Sequence, residues 1–216
     1  MEKKAIKGCI LPAVLALLMV SMQTTILKAN VIPLTIFTNN GAYFDGSGLD
    51  LYVKVTPLGS QINFEIHNES LIESAIARIY FDDNHLLSFN SISEGPGTSF
   101  SNMSVTPQNL PAGQNLNLPF EADYSFGAAN PAPKAGINPG QWIGICFDLV
   151  DGVTAADVFE AMYERNLRIG VHVTSLPDGS SEAGSTTNPE PATICLLGFG
   201  ALSFLRKAKR FRPQRY

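Results

Sequence analysis

Two neighbouring segments alternate apolar and polar residues with a period of two, and this pattern constrains the fold more than any other part of the sequence. In residues 49–56 leucine or valine takes every second position, and in residues 61–67 isoleucine or phenylalanine does so. A period of two places alternate side chains on one face of a β-strand, so each segment predicts a strand with one buried face. Residues 58–60, Leu-Gly-Ser, suit a hairpin connection between them. The pair therefore predicts antiparallel sheet.

Further segments have the same strand-like composition, and Gly, Pro and Asn punctuate the stretches between them. Many short alternating segments separated by turn residues are typical of antiparallel sheets packed face to face. We therefore predict an all-β protein, a single antiparallel β-sandwich of jelly-roll-like or Ig-like type, over residues 30–182. The other candidate strands cover residues 32–38, 75–81, 86–92, 116–125, 141–150 and 167–174.

One short helix is expected within this domain. Thr154 can cap it, and Asp157 at the third helical position completes a capping-box-like pair. Val153 and Val158 form a hydrophobic staple across its first turn. After the last strand, residues 183–188 (Ala-Gly-Ser-Thr-Thr-Asn) predict a flexible stalk, because this composition is typical of flexible linkers.

The N-terminus predicts a helical secretory signal peptide over residues 1–29. Three lysines lie within the first seven positions, and the apolar residues 10–22 follow them. A positive region before a short apolar run is the pattern of a signal peptide. We expect the mature protein to begin near Asn30.

The C-terminus combines three features in a fixed order. Pro189, Glu190 and Pro191 come first, the uncharged residues 192–205 follow, and a basic cluster ends the chain. A helix rises about 1.5 Å per residue, so the uncharged run would span roughly 21 Å as a short transmembrane helix. The basic cluster would hold that end on the cytoplasmic side. It includes Arg206, Lys207, Lys209 and Arg210.

This order of motif, apolar run and basic tail over residues 189–216 resembles the PEP-CTERM sorting signal of Gram-negative bacteria. The resemblance implies that exosortase, an integral-membrane peptidase, recognises Pro189, Glu190 and Pro191 while the helix anchors the precursor in the inner membrane. Proteins with this tag are associated with exopolysaccharide and biofilm production. The resemblance therefore implies export to the cell surface or the extracellular matrix. Residues 138–144, 167–173 and 179–182 are also similar to the bodies of other PEP-CTERM proteins, a similarity that implies no particular activity.

The exported part of the chain is strongly acidic. Between Asn30 and Glu190 it holds 18 acidic and 5 basic residues, a formal charge of −13. A surface of this sign repels nucleic acid and anionic membranes, so we exclude nucleic acid as a partner. Residues 45–48 and 82–84 contain oxygen-bearing side chains, but turn chemistry accounts for both segments and neither fits an EF-hand. We expect no cofactor and no metal site, with calcium left open.

The sequence contains no motif that is typical of a catalytic site. His67, His85 and His172 lack metal-ligand spacing, and we expect the first and last to be solvated because they take polar positions in their strands. Cys146 is alone between the two terminal signals, so an internal disulfide is impossible and we expect a packed, unreactive thiol. We therefore expect that the protein is not an enzyme.

Trp142 and Asp148 leave a ligand site open. Trp142 is out of phase with Ile143 and Phe147, so the two faces of its strand cannot both be solvated. Packing in the core is the favoured interpretation, and a platform that stacks on a sugar ring is the alternative. Asp148 is the acidic residue that such a platform, or a pair of hydrolytic carboxylates, would use. We predict a structural or adhesive component of the cell surface or biofilm, with a carbohydrate- or calcium-dependent binding module as the alternative and a secreted hydrolase as a further one.

Overall fold

The computed structural model describes residues 30–104 and 109–186. The signal peptide expected over residues 1–29, the sorting signal expected over residues 189–216 and positions 187–188 lie outside the described residues. Among the described residues, no helix combines the length and the apolar character that a membrane crossing requires.

The described residues form ten strands in one antiparallel sheet. The strand order is β5-β8-β3-β2-β1-β10-β9-β4-β7-β6. The all-β prediction is therefore confirmed. The strands are β1 (Asn30–Ile36), β2 (Leu51–Leu58), β3 (Gln61–Asn68), β4 (Ala75–Asp82), β5 (Leu87–Glu94), β6 (Phe100–Asn102), β7 (Tyr124–Ala128), β8 (Gln141–Leu149), β9 (Arg168–Thr174) and β10 (Glu182–Thr186).

The sheet is nearly closed because β1 changes partner halfway along its length. Residues 30–33 pair with β2, whereas residues 34–36 pair with β10. The strands at the two ends of the order, β5 and β6, also come close to each other. The backbone N–H of Phe100 donates to the carboxylate of Glu94 at 2.8 Å. Closure leaves few unpaired strand edges to attract other chains.

The inward faces of the strands enclose one large apolar core. Alternate residues of β2, β3 and β8 are buried, as the period-two pattern predicts. Phe81 on β4 lies at the centre of this core. Its ring centroid is 4.9 Å from that of Phe147, 5.2 Å from that of Phe64 and 5.9 Å from that of Phe126.

Two short helices and a 3-10 turn complete the described fold. They are α1 (Ala132–Ala135), α2 (Ala155–Glu164) and the 3-10 turn Gly113–Asn115. The capping box predicted for α2 is confirmed: Thr154 accepts the backbone N–H of Asp157, and Asp157 accepts the backbone N–H of Thr154 at 2.7 Å. Val158 and Met162 bury the inner side of α2.

The stalk predicted over residues 183–188 is wrong for residues 183–186. These residues belong to β10, which lies between β1 and β9 and extends the domain beyond residue 182. Ala183 is only 1% exposed. A Cβ on Gly184 would lie 3.1 Å from the carbonyl oxygen of Thr35, so a small residue lets the strands approach. The small residues that predicted flexibility therefore serve close packing.

A second difference concerns the candidate strand over residues 116–125. Only its last two residues, from Tyr124, belong to a strand, and the preceding residues follow an irregular path.

Replacing Phe81 with Ala should lower the free energy of unfolding by about 3–5 kcal/mol, because the substitution opens a cavity among three other phenylalanine rings. Urea unfolding of the full-length chain would measure the change. Phe44→Ala is the matched control, since Phe44 is 50% exposed and should lose far less. Equal losses in the two variants would contradict this account of the core.

Candidate functional site

An aromatic row, defined here as Tyr52, His67 and Trp142, crosses the outer face of the sheet. Tyr52 lies beside His67, and His67 lies beside Trp142, in the registers of β2, β3 and β8. The Tyr52 and His67 rings stack with centroids 4.7 Å apart and planes 11° apart. The His67 and Trp142 rings continue the row, with centroids 6.4 Å apart and planes 28° apart. All three side chains are half-buried, and the intervening residues of each strand point into the core.

The rings of the aromatic row stand upright on the sheet. Adjacent strands lie about 4.8 Å apart, so nearly parallel rings at that spacing face each other across the strands and not the solvent. Pro33 pairs with Tyr52 at one end of the row. At the other end the backbone of Gly95 lies against Trp142, where a Cβ would be 3.3 Å from the indole ring. The rings of the row therefore face one another along the sheet.

The position of Trp142 differs from the expectation of core packing. The inward positions of β8 are taken by Ile143, Ile145 and Phe147, which are fully buried. Trp142 therefore lies on the outer face, where one face of its ring is turned toward His67. The row also carries hydrogen-bonding atoms: the Tyr52 hydroxyl, the imidazole of His67, whose Nε2 lies 3.4 Å from Glu65, and the indole N–H of Trp142.

Asp148 lies on the same outer face but far from Trp142. Six residues along a strand correspond to about 20 Å, so the two candidate residues do not converge. Asn90 donates to Asp148 at 3.0 Å and Gln61 donates to it at 2.8 Å. These two side-chain hydrogen bonds hold the pKa of Asp148 below its ordinary value. Asp148 is thus an ionised surface group within a network of amides.

Charged and polar groups occupy the outer face between these positions. Lys54 donates to Glu65 at 2.9 Å, and His67 lies 3.4 Å from the same carboxylate. Burial raises the pKa of Glu65, but the hydrogen bonds from Lys54 and His67 outweigh it, so the net shift is downward. The neighbouring strand β5 exposes Ser88, Asn90, Ser91 and Ser93 on this side of the molecule.

Two of the three histidines and Cys146 are placed differently from the sequence-based expectations. His67 and His172 are half-buried and not solvated, and burial followed by the charge of Arg78 lowers the pKa of His172. Cys146 is half-buried on the outer face and not packed in the core. Its thiol lies 3.8 Å from the side-chain oxygen of Gln61.

A second polar cluster lines a cavity of about 380 Å³ beside the end of β4. Arg168 on β9 forms a partly buried ion pair with Asp82. Arg168 also donates to the carbonyl oxygens of Leu118 and Pro119, both at 2.6 Å, and its guanidinium lies 5.1 Å from the ring centroid of Phe120. Arg168 thereby fastens the irregular segment before β7 to the sheet.

A pair of acids, Asp83 and Asp123, lies beside this cavity. Asp83 is fully buried, and its Oδ1 atom has no hydrogen-bond partner among the described residues. Burial raises the pKa of Asp83 to about 7, and the adjacent Asp123 adds to the rise through hydrogen bonding and charge repulsion. Asp83 thus keeps its proton at pH values where an ordinary aspartate has lost it.

The loop that follows Asp83 has a strained backbone. Asn84 and His85 have φ angles of 50° and 62°, both in the left-handed region. This conformation costs non-glycine residues roughly 1–2 kcal/mol each, although Asn and His tolerate it better than most. The hydrogen bonds around Asp83 therefore hold a loop that would relax without them.

The acid pair does not have the geometry of a hydrolytic carboxylate pair. Glycoside hydrolysis needs two carboxyl groups that flank the scissile bond of a bound substrate. Asp123 lines the cavity, but Asp83 is buried behind the lining residues. Across residues 30–104 and 109–186, no group of three or more His, Cys, Asp or Glu side chains is arranged to hold a metal ion.

Comparisons of the chain with protein-family models, with curated protein sequences and with solved structures returned no match.

Cys146 should react slowly with iodoacetamide near neutral pH, although it is partly accessible. Burial raises the pKa of its thiol, and the nearby Asp148 carboxylate raises it further, so little thiolate is present. Asp148→Asn should speed the reaction because it removes the negative charge that helps to raise the pKa of the thiol. Mass spectrometry of the native protein over time would measure both rates. A wild-type rate equal to that of a free cysteine peptide would contradict the expectation.

Proposed function

We propose that this protein is an exported, non-enzymatic component of the cell surface or the extracellular matrix. A signal peptide over residues 1–29 directs export. A PEP-CTERM-like signal over residues 189–216 presents Pro189, Glu190 and Pro191 to an exosortase while residues 192–205 hold the precursor in the inner membrane. The support for this proposal is the order of features in the sequence, together with the strongly acidic charge of the exported part.

The directions of two strands are compatible with such a tethered precursor. β1 begins at Asn30 and β10 ends at Thr186, and these antiparallel strands are neighbours in the sheet. Thr186 pairs with Leu34, four residues into β1, so the two strand ends are offset by about 13 Å along the strand direction. The chain therefore enters and leaves the described sheet on neighbouring strands and from the same direction.

We describe the domain, as part of this proposal, as a β-sandwich of jelly-roll-like or Ig-like type. The change of partner within β1 divides the strands into two groups, β5-β8-β3-β2 and β10-β9-β4-β7-β6. Residues from both groups contribute to the same core, for example Phe64 on β3 and Phe81 on β4. Two layers across a shared core are what a sandwich requires.

The proposed adhesive surface is the outer face that carries the aromatic row. Upright ring edges, amides and hydroxyls offer many hydrogen bonds on one continuous sheet face, and sugar hydroxyls are their natural partners. The formal charge of −13 disfavours a polyanion, so the proposed ligand is an uncharged or weakly charged polysaccharide. The observation that carries this part of the proposal is the ordered stack of Tyr52, His67 and Trp142 outside the core.

The export proposal can be tested by replacing Pro189, Glu190 and Pro191 with alanine in a strain that has an exosortase. Helix would then continue through the motif, so uncleaved precursor should accumulate in the inner membrane. Immunoblots of membrane and medium fractions, with an epitope inserted before Asn188, would measure it. A variant that is processed and released like the wild type would contradict the sorting assignment. Arg215→Ala is the control, since it leaves the motif and most of the basic cluster intact.

The adhesive proposal can be tested separately with a glycan array, probed with the full-length chain in mild detergent and repeated with calcium. His67→Ala removes the middle ring of the aromatic row and should weaken binding to a retained polysaccharide about tenfold or more, the equivalent of one or two hydrogen bonds. His172→Ala is the matched control, because His172 is a half-buried histidine on β9, outside the row. Equal binding by wild type and His67→Ala would contradict the assigned surface and leave the export proposal untouched.

A further inference from the structure

Two carboxylates hold the loop between β4 and β5, residues 83–86, in its closed form. Asp83 accepts the backbone N–H of Leu87, the first residue of β5, at 2.8 Å. Asp123 accepts the backbone N–H of Asp83 at 2.9 Å. Tyr124 adds a third contact by donating its hydroxyl to the carbonyl oxygen of Leu87 at 2.8 Å. The closed loop therefore depends on hydrogen bonds to the side chains of two adjacent acids.

The other charged groups around the loop do not neutralise this pair. The ring of His85 is 88% exposed, and its Nδ1 atom lies 3.8 Å from Asp123 Oδ1. Arg168 forms an ion pair with Asp82 and not with Asp83. Arg165, from the end of α2, and Glu121 line the same cavity. Within residues 30–104 and 109–186, no ion pair reaches Asp83.

A shared proton accounts for the buried Oδ1 atom of Asp83, which lacks a donor among the described residues. If Asp83 were ionised, its Oδ1 atom would be a buried charge without a partner, beside a second carboxylate. Burial of an unpartnered charge is among the most costly arrangements in a protein interior. A proton on Asp83 removes that charge and supplies a donor to Asp123.

We propose that a proton held between Asp83 and Asp123 is a latch that keeps the β4–β5 loop closed, and that its loss opens the loop. With the proton, the two acids share a hydrogen bond. Without it, two negative charges repel inside the fold, and the strained backbone of Asn84 and His85 relaxes as the loop moves away. Opening exposes the cavity of about 380 Å³ that Asn84 and His85 help to line.

The direction in which loop opening depends on pH follows from the raised pKa of Asp83. Asp83 titrates at about 7 in the closed loop, against about 3.9 for a solvated aspartate. The stabilising contribution of the latch is therefore complete below about pH 4 and is lost as pH rises through about 7. Between about pH 5.5 and about pH 8.5, the equilibrium constant for opening should rise about 30-fold.

Amide hydrogen exchange of the full-length chain in mild detergent would test the latch. The protection of Leu86 and Leu87, corrected for intrinsic exchange, should fall about 30-fold in the wild type between about pH 5.5 and about pH 8.5. Asp83→Asn should stay protected at both values, because its amide N–H₂ can donate to Asp123 while its carbonyl oxygen accepts from Leu87. Asp151→Asn, which removes an exposed acid in the turn after β8, should behave like the wild type.

Two further variants test whether the pH dependence comes from the acid pair or from His85. His85→Asn removes the exposed imidazole beside Asp123 and keeps a residue that tolerates the left-handed backbone, so the pH dependence should persist. Asp123→Asn should show a weaker pH dependence than the wild type, because it removes the charge repulsion but leaves Asp83 buried, and it replaces Asp83→Asn if that variant does not fold. Equal wild-type protection at both pH values, or loss of the pH dependence in His85→Asn alone, would overturn the proposal.

Discussion

The structure depends on the way in which β1 divides its backbone hydrogen bonds between two partners. Its first half completes the group of strands that contains β2, and its second half completes the group that contains β10. A strand that served only one group would leave two open sheets with exposed edges. Because β1 pairs with both groups, apolar residues of β1 to β9 can pack in one core around the rings near Phe81. The polar outer face and the acid pair both lie outside that core as a consequence.

Local sequence patterns correctly predicted the strands and the helix start that depend on neighbouring residues. The alternation in residues 49–56 and 61–67 gave β2 and β3 with the correct inward faces, and the Thr154–Asp157 pair located the start of α2. β10 could not be found in this way, because it lies in the middle of the sheet and is built from small residues. Its neighbours, not its own side chains, decide its conformation.

The candidate sites were harder to predict because each depends on residues that are distant in the chain. The aromatic row exists only because the registers of β2, β3 and β8 bring Tyr52, His67 and Trp142 level with one another. Asp83 and Asp123 are forty residues apart and meet where an irregular segment crosses the end of β4. A single sequence reveals neither strand register nor loop path. The alternation around Trp142 did show that one face of β8 had to be unusual.

The position of β10 decides how the domain would respond to mechanical load. A strand at the edge of a sheet peels away one hydrogen bond at a time when its end is pulled. β10 has β1 on one side and β9 on the other, so a pull on the chain beyond Thr186 acts along the strand and strains both ladders together. The ladders resist in shear, and many backbone hydrogen bonds must break at once before the strand can slide. Tension applied to the chain beyond Thr186 would therefore pass into a strand that is paired on both sides.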